Sequence, residues 1–241
     1  DATELSAYPD LIRLQSGRLL ALGLQDKTTF VQTVKMYDPD AVTKWSTVGT
    51  ITLDTPTAQK GPALCQLPSG RVLAFVQIGT QINVYFSDDD GATWAGYSYR
   101  ALDVAIANDN IKQIRAGYSG GDVLLIVQYE TAGGDPSAAQ YASDDLGGRF
   151  TQVDDDWKSA ASEEPQAFNI IENDGSFAII YHSQGAVTVD AICRVIGSAF
   201  SKATDATPHD IGTSAASTYT PGVSAYRDDS GVIYVYISRP V

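Results

Sequence analysis

The feature that most constrains this chain is the octet Ser87-Asp88-Asp89-Asp90-Gly91-Ala92-Thr93-Trp94, because it recurs at near-constant spacing. A second copy, Ser143-Asp144-Asp145-Leu146-Gly147-Gly148-Arg149-Phe150, keeps Ser, Asp and Gly in place and exchanges Trp for Phe. Weaker copies flank these two. Asp38, Asp40 and Trp45 keep the first, third and eighth positions of one, and Gly197 and Phe200 keep the fifth and eighth of the other. The closing aromatics are 49, 56 and 50 residues apart. A chain with that period is built from repeated supersecondary units.

A second landmark runs in the same phase. Leu14-Gln15-Ser16-Gly17-Arg18-Leu19-Leu20-Ala21-Leu22 nearly superimposes on Leu67-Pro68-Ser69-Gly70-Arg71-Val72-Leu73-Ala74-Phe75, and looser versions surround Gly121, Gly175 and Gly231. Eight to ten residues before four of these glycines stand Pro9, Pro62, Pro165 and Pro221, each suited to the first residue of a strand; Gln113 takes that place in the third copy. Within one unit, Ala63–Leu67, Val72–Gln77, Ile82–Phe86 and Tyr97–Leu102 are rich in strand formers with turn residues between them. Four antiparallel strands per unit are expected. Val123–Val127 and Phe177–Tyr181 are nearly continuous apolar runs, as in strands covered on both faces. No long run has helical period with caps, so helix content should be small.

The octet itself is a turn. Its Ser and its second Asp can accept backbone N–H groups, Gly supplies the positive φ that closes the loop, and the aromatic starts the outgoing strand. The acidic runs Asp88–Asp90 and Asp154–Asp156 lack the alternating ligands, central Gly and distal Glu of an EF-type calcium loop. No Cys/His cluster has zinc spacing, and no metal or cofactor is expected.

The octet resembles the Asp-box, or BNR repeat, of the sialidase superfamily. Ser87, Asp89, Gly91, Thr93 and Trp94 match every fixed position, and Ser143, Asp145 and Gly147 match three, with Phe150 in place of the Trp. The order of strand, Gly turn, strand, strand, box and strand is similar over nearly the whole chain. The resemblance implies an all-β, sialidase-like β-propeller of four-stranded antiparallel blades, with the boxes on the rim away from the central site. Approximate blade units are 5–54, 55–104, 105–158, 159–212 and a partial 213–241, within one propeller domain, 1–241. About four and a half blades are therefore visible. The six-bladed ring of sialidases would need roughly 80 further residues at this spacing, from more chain or from a neighbouring subunit.

Net charge is −13, which argues against nucleic acid and anionic membrane surfaces as partners. No apolar run reaches spanning length, Asp1 opens no signal-peptide pattern, and no N-x-S/T sequon occurs, so a soluble chain without membrane insertion is expected. Cys65 and Cys193 fall in units too far apart to bridge, which predicts two buried free thiols.

In a propeller the starts of the innermost strands converge on the central mouth, so the residues before each proline landmark are the candidate site. They are Ala7 and Tyr8, Lys60 and Gly61, Lys112 and Arg115, Glu163 and Glu164, and Tyr219 and Thr220. Sialidases, by the resemblance, clamp a carboxylate with three arginines and use a Tyr nucleophile, a Glu and an acid/base Asp. Here Ala7 occupies the first arginine position, and Lys60 and Lys112 reproduce bidentate arginine recognition poorly. Tyr8, Lys60, Lys112 and Arg115 are the candidate ligand-binding residues. Glu164 and Tyr219 are the catalytic candidates for a glycosidase, with Asp10 or Asp26 as the second carboxylate such chemistry needs. Tyr8 and Tyr219 also suit stacking on a sugar ring. His182 and His209 lie far apart in the repeat frame, without a Ser or Cys partner by position. The segment Tyr129–Ala139 reads as a long surface loop, either a candidate contact surface or a tolerated insertion.

The expected function is a noncatalytic recognition or scaffold module, extracellular or on a virion surface, with a glycan or protein partner. An exo-acting glycoside hydrolase and a structural subunit of a filament are the alternatives.

Overall fold

The computed structural model describes residues 10–24, 31–53, 62–78, 81–96, 102–103, 111–130, 136–154, 164–173, 176–184, 188–196, 202–205, 209–213 and 222–238. All the regular elements among them are strands. The chain divides into two compact units: residues 1–116 with 147–149, and residues 117–146 with 150–241.

In the first unit, β1 (Asp10–Arg13), β2 (Leu19–Leu24), β3 (Val31–Tyr37) and β4 (Trp45–Thr52) form one antiparallel sheet in chain order. A second follows with β5 (Ala63–Gln66), β6 (Val72–Ile78), β7 (Gln81–Ser87) and β8 (Ala95–Gly96), and β9 (Leu102–Asp103) also pairs with β7. Of the fourth strand expected over Tyr97–Leu102, residues 97–101 lie outside the described residues, and the described pieces on either side both pair with β7. Ala95 and Gly96 stand in register with Phe86 and Tyr85. Between the two sheets lies a buried cluster of Leu14, Leu20, Leu22, Val34, Met36, Ile51, Leu53, Leu64, Val72, Ala74 and Val76, with Ile12, Val48, Ile78, Tyr85 and Trp94 packed against it. The two sheets thus bury these side chains face to face.

The third sheet runs β10 (Ile111–Ser119), β11 (Asp122–Glu130), β12 (Pro136–Ser143) and β13 (Thr151–Asp154). The run from Val123 to Val127 is fully buried, as its composition predicts. The long loop expected from Tyr129 to Ala139 is not observed as such. Strands β11 and β12 continue until Glu130 pairs with Pro136, and Ser137, Ala138 and Ala139 are buried. The extra length of the third unit is thus taken up in part by longer strands, whose small side chains suit a tightly covered position. Only residues 131–135 of that segment lie outside the described residues.

The fourth sheet runs β14 (Glu164–Asn173), β15 (Ser176–Gln184), β16 (Thr188–Ile196) and β17 (Lys202–Asp205), and β18 (His209–Thr213) also pairs with β16. Pro165 is the second residue of β14 rather than its first, and the register shifts immediately after it, which accommodates the missing N–H. The last sheet is the hairpin of β19 (Gly222–Arg227) and β20 (Ile233–Ser238). Pro9 and Pro221 lie outside the described residues, as do Gly197 and Phe200.

Candidate functional site

The octet folds as the self-bonded turn that its sequence predicts. Ser87 Oγ accepts the Gly91 N–H at 2.8 Å and donates to Asp89 Oδ1 at 2.8 Å. Asp89 in turn accepts the Thr93 N–H at 2.8 Å and the Thr93 hydroxyl at 2.6 Å. Trp94 Nε1 donates to the Gly91 carbonyl at 2.9 Å. Gly91 has φ 90° and Asp90 φ 54°, and Leu146 and Gly147 repeat this pair at 58° and 87°. Ser143 Oγ likewise donates to Asp145 Oδ1 at 2.8 Å.

Each aspartate of the first octet has a partner. Asp88 receives Arg71 through two nitrogens at 2.6 and 2.8 Å, and Arg71 also lies over the Phe86 ring at 4.4 Å. Asp89 is held below the usual carboxylate range by the Thr93 hydroxyl and N–H. Asp90 pairs with Arg18 from the neighbouring sheet. A cavity of about 460 Å³ lined by Arg18, Met36, Val48, Asp88, Asp89, Asp90 and Ala92 opens beside them. Among the described residues no group of three His, Cys, Asp or Glu side chains could hold a metal ion. The repeated Gly-Arg of the turns at Gly17 and Gly70 was the sequence signal for these ion pairs.

The innermost strands bring a different set together. Asp10 begins β1, Leu64 and Cys65 lie in β5, and Arg115 lies in β10. Asp10 Oδ2 accepts the Leu64 N–H at 2.7 Å, and its Oδ1 lies 3.9 Å from Arg115 Nη1. Arg115 Nη1 also donates to its neighbour's carbonyl, that of Ile114, at 3.1 Å. The side chains are 18 % and 27 % exposed. Burial raises the Asp10 pKa, against the opposing charge of Arg115 and the Leu64 and Leu11 N–H groups. Cys65 is a buried free thiol, and its pKa is raised by burial and then by the charge of Asp10.

Of the sequence candidates, Asp10 and Arg115 are thus in contact. Lys112 is an exposed residue of β10. Glu164 opens β14 in register with Gln184, and nothing is described of its side chain. Tyr8, Lys60, Tyr219, Glu163 and Asp26 lie outside the described residues. His182 and His209, distant in sequence, both stand in register with Ala191, one on each side of β16. Cys193 pairs with Ile180 in the same sheet. What sequence reasoning missed is the Leu64 N–H, a backbone donor that no side-chain motif announces.

These antiparallel four-stranded sheets are blades: the chain has the all-β fold of a β-propeller. It is similar over 95 % of its length to the α-L-arabinanase of Penicillium chrysogenum complexed with arabinobiose, with TM-score 0.68, 17 % identity and 74 % of that chain covered. An endo-arabinase from Bacteroides thetaiotaomicron matches 97 % of the chain with TM-score 0.59, 11 % identity and 89 % coverage. A Hadza microbial sialidase matches 96 % with TM-score 0.62 and 14 % identity, and the match spans about half (52 %) of that longer chain. No protein-family model matches the sequence, and no curated protein matches it significantly.

Proposed function

We propose that this chain is a sialidase-like propeller with Asp-box turns that recognises carbohydrate without cleaving it, on an extracellular or virion surface. The observation that carries this reading is the engagement of Asp10. One oxygen is held by the Leu64 N–H and the other faces Arg115, so the carboxyl ties the inner strands rather than standing open to a sugar. Arg115, facing a protein carboxylate, is poorly placed to clamp a ligand carboxylate as well, and its role in this reading is to hydrogen-bond sugar hydroxyls. The carbohydrate part of the reading draws on the similar propellers, an arabinanase complexed with arabinobiose and a sialidase among them. Tyr8, Lys60, Lys112 and Arg115 are the proposed binding residues.

The rival is an exo-acting glycoside hydrolase, and one observation favours it: a carboxyl with a raised pKa, as at Asp10, suits a general acid. Glu164 or Tyr219 would then serve beside it. Binding of the chain to a glycan array, lowered in Lys112→Ala and Arg115→Ala variants that keep the wild-type melting profile, is the expected result. Release of sugar from the same glycans, abolished in Glu164→Gln or Asp10→Asn, would establish the hydrolase instead.

A further inference from the structure

In the first two sheets the turn that joins the first two strands is flanked by a buried leucine and an arginine, Leu14 with Arg18 and Leu67 with Arg71. The leucine N–H donates to the arginine carbonyl at 2.8 Å in both sheets, so the two residues are cross-strand neighbours. In the second sheet the row extends to a third strand. Arg71 stands one residue beyond the Val72–Ser87 pair and is bonded there to both carboxylate oxygens of Asp88. An apolar, a cationic and an anionic side chain thus lie in one row, with the charges neutralised.

The third sheet fills the same row with oxygen. Strands β10 and β11 are joined by Gly120 and Gly121 alone, both at positive φ, so Ser119 and Asp122 flank the turn. Asp122 stands one residue beyond the Val123–Ser143 pair, which sets Asp144 on its other side. Cβ atoms of such cross-strand neighbours lie about 4.5–5.5 Å apart on one face of the sheet. Ser119 therefore takes the place of Leu67, Asp122 that of Arg71, and Asp144 that of Asp88. All three belong to one compact unit. Burial and then the charge of Asp144 raise the Asp122 pKa, as expected of two carboxylates that face each other. Among the described residues neither carboxylate has a cation bonded to it. Ser119 is 1 % exposed, and its hydroxyl has no hydrogen-bond partner among the described residues, in a position that Leu14 and Leu67 fill with apolar side chains.

We propose that Ser119, Asp122 and Asp144 hold a calcium ion at the turn end of the third sheet, where the second sheet carries an ion pair. A hydroxyl beside two carboxylates is a set of hard oxygen donors, the ligands that calcium selects. The ion brings the positive charge that Arg71 supplies in the second sheet, and it gives the buried Ser119 hydroxyl a partner. Three different strands carry the donors, so no calcium-loop spacing announces them in the sequence. No third carboxylate or imidazole joins them among the described residues, so water and backbone carbonyls complete the shell. Two carboxylates make a weak site, in the range of about 0.1–1 mM found for extracellular calcium modules. Magnesium, which demands a near-ideal octahedron and gives up water reluctantly, is the poorer occupant.

Melting of the full chain, stripped of metal with a chelator and then titrated with calcium chloride, tests this. The melting temperature should rise with calcium and saturate around that range, with a smaller rise in magnesium. Asp122→Asn and Asp144→Asn should each weaken calcium binding by roughly tenfold or more, because affinity follows the ligand charge, and Ser119→Ala by less. Without calcium both Asn variants should melt no lower than the parent, since each removes a repulsion, and this controls for folding. Ser119→Leu combined with Asp122→Arg restores the row of the second sheet, so that variant should fold without calcium and bind none. A melting temperature that calcium up to about 10 mM does not move, tenfold above the weak end of the range, overturns the inference. So does a rise that magnesium reproduces in full, or one that persists unchanged in Asp122→Asn and Asp144→Asn.

Discussion

Replacing Gly91 by Ala measures the packing of the octet on the neighbouring sheet, because Gly70 provides an internal control. Both glycines have φ near 90°, so each Ala variant carries the same backbone penalty, about 1–2 kcal/mol for a left-handed non-glycine residue. Nothing lies within 4 Å of a Cβ built at Gly70. A Cβ at Gly91 would come within 2.9 Å of Leu20 Cδ1 and 3.1 Å of Val34 Cγ1. Leu20 and Val34 are fully buried and cannot swing aside, so overpacking adds about 1–3 kcal/mol. Gly91→Ala should therefore cost about 2–5 kcal/mol and Gly70→Ala about 1–2 kcal/mol. Urea unfolding followed by far-UV circular dichroism gives both values. Leu20→Ala in the Gly91→Ala background should recover part of the overpacking term as a coupling energy. Equal costs for the two glycine variants would refute the close approach of the octet to Leu20, and with it the packing of the first two sheets.

Other expectations follow from individual groups. The Asp10 carboxyl has a folded pKa above its unfolded one, so its contribution to stability is fully present below the unfolded pKa and is lost as pH rises through the folded pKa. Asp10→Asn should thus gain stability relative to the parent chain as pH rises above the ordinary carboxylate range of about 4, read from urea midpoints; a constant difference would contradict the burial of that carboxyl. Cys65, buried and with its pKa raised, should resist a chromogenic disulfide reagent in the native state and react on unfolding, so Cys65→Ser should leave native thiol reactivity unchanged. Trp94, half-buried on the core with its N–H bonded to the Gly91 carbonyl, should cost about 2–4 kcal/mol on change to Ala in urea unfolding. Similar costs for Trp94→Ala and the more exposed Trp45→Ala would contradict the difference in their packing.

The octet was legible because its geometry is local. Ser87, Asp89, Thr93 and the positive-φ Gly91 lie within eight residues, and their hydrogen bonds depend on little else. The buried run from Val123 to Val127 and the hairpin after Pro221 were legible for a related reason, since strand composition and a Gly turn bracket them. Long-range outcomes were not. Asp10 and Arg115 each drew notice from position alone, but their contact, and the Leu64 N–H that fixes Asp10, arise only when three inner strands are brought together. The extension of β11 and β12 to the Glu130–Pro136 pair was hidden because the extra length of the third unit reads as a loop, and only the burial of Ala138 and Ala139 shows it paired.

The most direct measurement is to incubate the chain at length with the oligosaccharide it binds best on a glycan array and to weigh the recovered sugar by mass spectrometry. Recovery of the intact oligosaccharide, bound by the parent chain and held less well by Arg115→Ala, is the expected result. A shortened sugar whose appearance stops in Asp10→Asn would contradict a recognition module whose Asp10 is a structural tie.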